Sequence, residues 1–453
     1  MPKSICCSIP FKALISYVFF EVLLVAVLFL LYTRYANWGI PLDKVISFVC
    51  VSFVSLSVVL YEFVYVKSGP LTPIFAYSIF VFLFGYSFLP LNTTNISLDV
   101  YTILLLITSV FFFIIGIGCG KLLKITYIPS FRIRNGVFLL RWITYLGVIV
   151  FIIESAILGY IPIFGMFTKD VYGDSVKNAL PFIHYFVQLA NVVPVWCYIL
   201  YKEGKIDKRL TKRLSFIAIF ISVNSLSRQG WLLTILCFSI AYMYYNVISK
   251  KKIIIIGVSF ILLFGLIGTI RSLSIIKDDR SELQYLKDYA QTEYDANVLE
   301  TYLALYSTNN FSTFKQLAEN SDKEDYRAFG AYTLRPFYSI TFLNKFSIFD
   351  IQPEFDSLSR LGTYAIDPYL DFGICGIVIL NFFYGFFSGY SYKNYRKKDY
   401  RWIMPWCAMV YCILMSAFTN YFNTLFIWLI IVFNFIVTST HRNTDKATTA
   451  FLP

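Results

Sequence analysis

The chain has 453 residues, of which 58% are hydrophobic, 19% aromatic and only 15% charged, and its mean hydropathy is +0.65. A soluble protein of this length carries about a quarter charged residues, so the composition excludes an ordinary soluble enzyme or binding module. The net charge of +12 does not indicate nucleic-acid binding, because residues 271–371 alone carry −6 and the remainder carries +18 in short clusters between apolar runs.

Apolar runs recur from end to end, and runs of about 20 residues are long enough to cross a ~30 Å hydrocarbon core. We count about twelve, which predicts an all-α polytopic membrane protein. The approximate limits are 11–33, 43–66, 71–91, 98–120, 139–158, 182–201, 214–227, 229–248, 253–270, 372–391, 402–419 and 421–438. The first run is too long for a cleaved signal peptide and no small-residue cleavage site follows it, so we interpret it as a retained span.

Basic clusters predict the orientation of these spans. They follow the fourth, sixth, eighth and tenth spans, at 121–141, 202–213, 250–252 and 393–401. Because Lys and Arg concentrate in cytoplasmic loops, both termini are predicted to be cytoplasmic. The predicted organisation is then residues 1–270 with spans one to nine and an outer loop at 159–181, a large outer loop or cap at 271–371, and residues 372–453 with three spans and a cytoplasmic tail.

Four arginines lie on the side where this rule predicts few. Arg228 separates the seventh and eighth spans, Arg271 ends the ninth, and Arg335 and Arg360 lie in the 271–371 loop. A guanidinium presents paired donors and stays charged, which suits a phosphate or pyrophosphate ligand. Alternatively, Arg228 and Arg271 snorkel to the phosphates of interfacial lipids. The arginines together with the oversized outer loop favour a function.

The acid–base candidates lie on the same predicted side. Asp367 and Asp371 stand at the outer mouth of the tenth span, four residues apart and on one face if the segment is helical, although Pro368 argues against a continuous helix. Helix capping is the alternative role for both. His184, where the sixth span meets the 159–181 loop, is either a general base or an ordinary interfacial histidine.

Motifs for cofactors are absent from the sequence. There is no P-loop, GxGxxG, HExxH or CxxC pattern, the chain has only two histidines, and residues 271–371 contain no cysteine. A metal site built from histidines or thiolates is therefore not expected.

Four segments carry a resemblance to a known family. They are "SLSRQGWLLTIL" (225–236), "GTIRS" (268–272), "YTLRPFYS" (332–339) and "LGTYAIDPYLDFGICGIVILNFFYGFFSG" (361–389). With these segments the chain resembles the bacterial oligosaccharide repeat-unit polymerases, the O-antigen polymerase or Wzy-type family.

The resemblance implies a GT-C-like membrane glycosyltransferase of the bacterial inner membrane, with the 271–371 loop in the periplasm. Such enzymes transfer a growing glycan from undecaprenyl pyrophosphate to a new repeat unit, without a nucleotide sugar or other cofactor. The implied partners are undecaprenyl-pyrophosphate-linked oligosaccharides, membrane lipids and a chain-length regulator protein. The implied pyrophosphate ligands are Arg228 and Arg271 and, with weaker support from the motifs, Arg335 and Arg360.

Two other functions stay open. One is an O-antigen ligase-like transferase, which the resemblance disfavours because related ligases use a histidine in the large loop and residues 271–371 contain none. The other is a flippase for lipid-linked oligosaccharides. Transporters tend to show internal repeats, and we find none here.

Overall fold

The computed structural model describes residues 11–65, 71–91, 97–124, 136–165, 180, 183–225, 228–247, 249, 251–252, 255, 284, 287–288, 290–341 and 362–439. These residues form helices joined by turns, with no β-strand among them. In the N-terminal part, the helices are α1 (Phe11–Asn37), α2 (Leu42–Tyr65), α3 (Pro73–Tyr86), α4 (Val100–Leu122), α5 (Gly136–Leu158), α6 (Pro162–Gly165), α7 (Tyr185–Ala190), α8 (Val193–Lys202), α9 (Lys208–Ser225) and α10 (Arg228–Tyr245).

The described C-terminal part begins with α11 (Val298–Leu303), which a π-helical turn over Ala304–Thr308 joins to α12 (Asn309–Lys323). The helices that follow are α13 (Arg335–Thr341), α14 (Ile366–Arg396), α15 (Ile403–Leu414) and α16 (Leu425–Thr438). The predicted boundary at residue 372 therefore falls inside α14.

Five stretches are long and apolar enough to cross a membrane: Ala13–Asn37, Leu42–Val64, Val100–Leu122, Gly136–Gly165 and Ile366–Arg396. They coincide with predicted spans one, two, four, five and ten, and the chain is a helical membrane protein as the composition indicates. The count of about twelve spans and the GT-C-like fold stay predictions. Most of the predicted span 253–270 lies outside the described residues.

The predicted sixth span, 182–201, is two helices rather than one. Helix α7 ends at Ala190, and a turn over Asn191 and Val192 separates it from α8. Pro194 lies in the first turn of α8. Proline is tolerated there because the first turn needs no backbone donor, whereas inside a continuous helix it would remove a hydrogen bond.

A seam of glycines joins α4 to α14. Each helix carries a G-x-x-x-G pattern, beginning at Gly116 on α4 and at Gly385 on α14. A Cβ added at Gly116 would overlap the carbonyl oxygen of Phe382, and one added at Gly385 would overlap that of Phe113. The two backbones are therefore in contact and run parallel, in the arrangement that small residues permit between membrane helices. We call this contact the glycine seam.

Residues 290–341 dock on one end of the bundle, which we call the cap end. Arg34, near the end of α1, forms a two-pronged ion pair with Glu300, with Nε–Oε1 and Nη2–Oε2 distances of 2.6 and 2.7 Å. Lys315 Nζ donates to the carbonyl oxygen of Ser97 (2.9 Å), just before α4. Ala328 N–H donates to the carbonyl oxygen of Leu370 (2.9 Å) in α14. The end of α1 and the starts of α4 and α14 therefore meet here.

Basic residues gather at the opposite end, which we call the basic end. Lys205 Nζ donates to Tyr400 Oη (2.7 Å) and to the carbonyl oxygen of Thr438 (2.8 Å). Lys398 Nζ donates to the carbonyl oxygen of Tyr244 (2.9 Å). These contacts group the helix ends as the charge pattern predicts, while which end faces the periplasm stays a prediction.

Segments from the cap end enter the bundle. Helices α3, α15 and α16 have 14, 12 and 14 residues, so at 1.5 Å per residue they are only about 20 Å long. Beside them Tyr364 is fully buried, its hydroxyl bonded to Tyr77 Oη and to Ser109 Oγ in the middle of α4. Tyr364 lies in a polar, non-α-helical segment beside the middle of α4. Such a segment is stable at membrane depth only where protein or a polar cavity surrounds it.

Candidate functional site

The helix that carries Asp367 and Asp371 is broken at a glycine. Gly373 has φ 60° and ψ −141°, a conformation that side chains with a Cβ rarely adopt. The chain folds back there and brings the carbonyl oxygen of Pro368 directly against Gly376, eight residues further along. Pro368 lies in the first turn of α14, where it is tolerated. Both aspartates are thus helical, and the interruption lies at Gly373 rather than at Pro368 as the sequence indicated.

Asp371 is fully buried and holds a turn of the chain. Its Oδ1 accepts the N–H of Tyr332 (3.1 Å), and its Oδ2 accepts the N–H of Thr333 (2.7 Å) and the hydroxyl of the same threonine. A carboxylate that accepts several charge-assisted hydrogen bonds is fixed firmly in position, and so are the groups that donate to it. This turn leads into α13, whose first residue is Arg335. The contacts of Asp371 therefore favour a positioning role.

Asp367 is partly exposed and belongs to a group of neutral polar side chains. Its Oδ2 accepts from Asn423 Nδ2 (3.2 Å), Asn423 Oδ1 accepts from Tyr384 Oη (2.7 Å), and Tyr384 Oη accepts from Asn420 Nδ2 (3.3 Å). We call Asp367, Tyr384, Asn420 and Asn423 the polar cluster. Within the described part of the chain, no lysine or arginine forms an ion pair with Asp367.

Arg335 is the predicted arginine whose surroundings the structure describes. It is exposed at the start of α13, and its guanidinium interacts electrostatically with Asp367 and with the Tyr185 hydroxyl. Helix α13 packs on α16, which also packs on α7, the helix that begins at Tyr185. The fold therefore places a cation within electrostatic range of a partly exposed carboxylate at the cap end.

His184 precedes Tyr185 and pairs with a glutamate. Its Nδ1 lies 3.0 Å from both carboxylate oxygens of Glu154, near the end of α5. The two side chains are 31% and 11% exposed. Glu154 also accepts the N–H of Leu180 (3.1 Å). A carboxylate on Nδ1 fixes the ring and places the proton there, so that Nε2 of the neutral imidazole is the acceptor.

Tyr332 adds a hydroxyl close to both aspartates. Partial burial raises the pKa of this phenol, and the neighbouring Tyr326 and the charges of Asp367 and Asp371 raise it further. The hydroxyl therefore stays protonated at neutral pH, and it is hydrogen-bonded to the Tyr326 hydroxyl.

The other predicted arginines are not placed by the structure. Arg228 is the first residue of α10, but its side chain lies outside what is described. Arg271 and Arg360 lie outside the described residues. Among those that are described, no group of three or more His, Cys, Asp or Glu side chains is arranged to hold a metal ion.

Three members of the polar cluster were missed by the sequence reasoning: Tyr384, Asn420 and Asn423. Asn420 lies between the predicted spans 402–419 and 421–438, and Asn423 lies inside the second of them. A polar residue within an apolar run is a signal of function, and it could have directed attention there. No family model matches the chain, and no match was found among curated proteins or solved structures.

Proposed function

We propose that the protein is an integral-membrane glycosyltransferase that polymerises oligosaccharide repeat units carried on undecaprenyl pyrophosphate, at the outer face of the bacterial inner membrane. The observation that supports this most is the electrostatic interaction of Arg335 with the partly exposed Asp367 at the cap end. Transfer from a diphosphate donor needs a cation for the leaving group and a base for the acceptor hydroxyl.

In the proposed reaction, a hydroxyl oxygen of the acceptor sugar attacks the anomeric carbon of the donor glycan. The bond between that carbon and the diphosphate oxygen breaks, and its electron pair leaves with the diphosphate. Arg335 stabilises the charge that develops on the leaving oxygen, with Arg228, Arg271 and Arg360 as further candidates for the same role.

The proton of the attacking hydroxyl passes to a base on the protein. Asp367 is the first candidate, because it is partly exposed and interacts electrostatically with Arg335. His184, oriented by Glu154, is the second. Asp371 acts through the turn that it holds, which sets the start of α13.

The test is chain extension by the purified protein from lipid-linked repeat units, with and without a chelator. Arg335→Lys keeps the charge but loses the planar fork, and we expect it to lower kcat by about 10²-fold with no change in Tm. Arg401→Lys is the matched control, because Arg401 is a solvent-accessible arginine that pairs with Asp399 at the basic end. Normal extension by Arg335→Lys would overturn the role of Arg335.

A deletion strain separates the proposed function from its alternatives. A polymerase predicts single repeat units that still reach the surface when the gene is removed. Loss of all surface repeat units would indicate a flippase instead. Polymer that accumulates on its lipid carrier would indicate a ligase.

A further inference from the structure

Asn381 on α14 is a buried amide without a partner. Its side chain is fully buried, and neither Nδ2 nor Oδ1 makes a hydrogen bond within the part of the chain that the structure describes. The Oδ1 atom of Asn420, which is 5% exposed, likewise has no partner there. Buried polar atoms in native proteins are nearly always paired, so these three atoms need a ligand or water.

These unpaired atoms adjoin the polar cluster. Asn381 and Tyr384 lie three residues apart and therefore on one face of α14. Side chains in a helix lean toward its N-terminus, so Tyr384 extends toward the turn of α14 that carries Asn381. Tyr384 Oη bonds with both Asn420 and Asn423, and Asn423 bonds with Asp367. Hydrogen bonds thus connect the polar cluster, and Asn381 lies about one helical turn from its member Tyr384.

The polar cluster lies where segments from the cap end enter the bundle. Residues 362–372 fold back at Gly373, and residues 415–424 join two short helices, so both segments bring polar groups inside the bundle. Backbone that is not helical at this depth is tolerated where it lines a polar cavity.

We infer that Asn381 and Asn420 form a subsite for the hydroxyl groups of the acceptor sugar, with Asp367 next to the reacting hydroxyl. This inference rests on the proposed function. An amide both donates and accepts hydrogen bonds, as does a sugar hydroxyl. Apart from Asp367 the lining groups are neutral, which suits an uncharged polyol, whereas the diphosphate is assigned to Arg335.

The deciding variant is Asn381→Leu, which has nearly the same shape and no polar atoms. If Asn381 has only a structural role, this variant should be more stable and fully active, because it removes an unpaired amide. If Asn381 binds the acceptor, Tm should still rise, but the KM for acceptor should increase about tenfold while the KM for donor stays unchanged. The acceptor is the free repeat-unit oligosaccharide, which lacks lipid and diphosphate and cannot act as donor.

Asn434→Leu is the matched control. Asn434 is also fully buried, but its Oδ1 accepts from Trp196 Nε1 (3.2 Å) and its Nδ2 donates to the carbonyl oxygen of Arg401 (2.7 Å) at the basic end. We expect this variant to lower Tm and to leave the KM for acceptor unchanged.

An unchanged KM for acceptor in Asn381→Leu would overturn the proposed subsite. It would indicate instead that buried water hydrogen-bonds to the Asn381 amide. If the wild-type protein makes no polymer, the proposed function fails, and binding of the same free oligosaccharide is measured by saturation-transfer NMR. Binding that the wild type shows and Asn381→Leu has lost would then support the subsite on its own. No difference between the two proteins would overturn it.

Discussion

Two regions of α14 differ in how they are built, although they adjoin along one helix. The glycine seam, beginning at Gly385, brings backbone against backbone with α4. The polar cluster and Asn381, on the cap-end side of that helix, bury amides and a tyrosine hydroxyl, and some of these atoms have no partner among the described residues. The seam gains stability from close packing, whereas the buried amides reduce it.

The difference suggests a division between scaffold and site. Natural proteins depart from good packing and full hydrogen bonding mainly where function requires it. The seam holds α14 against α4, and the same helix then presents Tyr384 and Asp367 to the cap end. Variants on the two sides of this division should therefore behave differently.

The largest effect is expected for Gly116→Ala in the seam. The added methyl group would overlap the carbonyl oxygen of Phe382, and a backbone atom cannot move aside as a flexible side chain can. We expect a loss of about 2–3 kcal/mol in the free energy of unfolding, measured by thermal or denaturant unfolding in detergent.

Gly118→Ala is the control for that prediction, because a Cβ at Gly118 meets nothing within 4 Å. Replacing a helical glycine with alanine should stabilise it by up to about 1 kcal/mol. Equal stabilities of the two variants would show that α4 and α14 are not in backbone contact.

A smaller effect is expected for Asp371→Asn, which distinguishes the two aspartates. Oδ2 of Asp371 accepts two hydrogen bonds from Thr333, and an amide that presents its nitrogen there cannot replace them. We expect a loss of about 2 kcal/mol in stability, with activity reduced through the displaced α13.

Asp367→Asn should instead unfold like the wild type and lose chain extension. The opposite pattern would exchange the roles assigned to these residues.

The smallest effect is expected for Arg34→Ala, which loosens the contact between the cap and α1. Its partner Glu300 is only 7% exposed, but Arg34 is 41% exposed, so solvent screens part of the interaction. We expect a loss of about 1 kcal/mol and faster proteolysis within residues 290–341. The double variant with Glu300→Gln should recover part of the loss, because no buried charge is then left unpaired.

The sequence predicted the long helices well. An apolar run of 20 or more residues has few stable structures other than a membrane-spanning helix. Helices α1, α2, α4 and α5 lie close to their predicted limits, whereas α14 extends beyond the predicted span at both ends. The basic clusters at 202–213 and 393–401 lie at one end of the bundle, whereas the side of the membrane that they face stays a prediction.

Features that depend on backbone reversals and on contacts between helices were not predicted. The reversal at Gly373 brings the carbonyl oxygen of Pro368 against Gly376, and a hydropathy pattern contains no signal for it. Window averages also hide single asparagines, so Asn381 and Asn423 were overlooked inside predicted spans, and Asn420 was overlooked in the short connection between two spans. The pairing of His184 with Glu154 joins helices that only the fold brings together.

The parallel pairing of α4 with α14 has a consequence for biosynthesis. The two halves of the contact are separated by about 270 residues of chain, which a ribosome working at about 5–20 residues per second needs roughly 15–55 s to complete. During that interval α4 lies in the bilayer, and its glycine face is not yet packed against α14. Assembly of the bundle is therefore limited by the late arrival of a C-terminal helix, and chains truncated before α14 should be targets for membrane quality control.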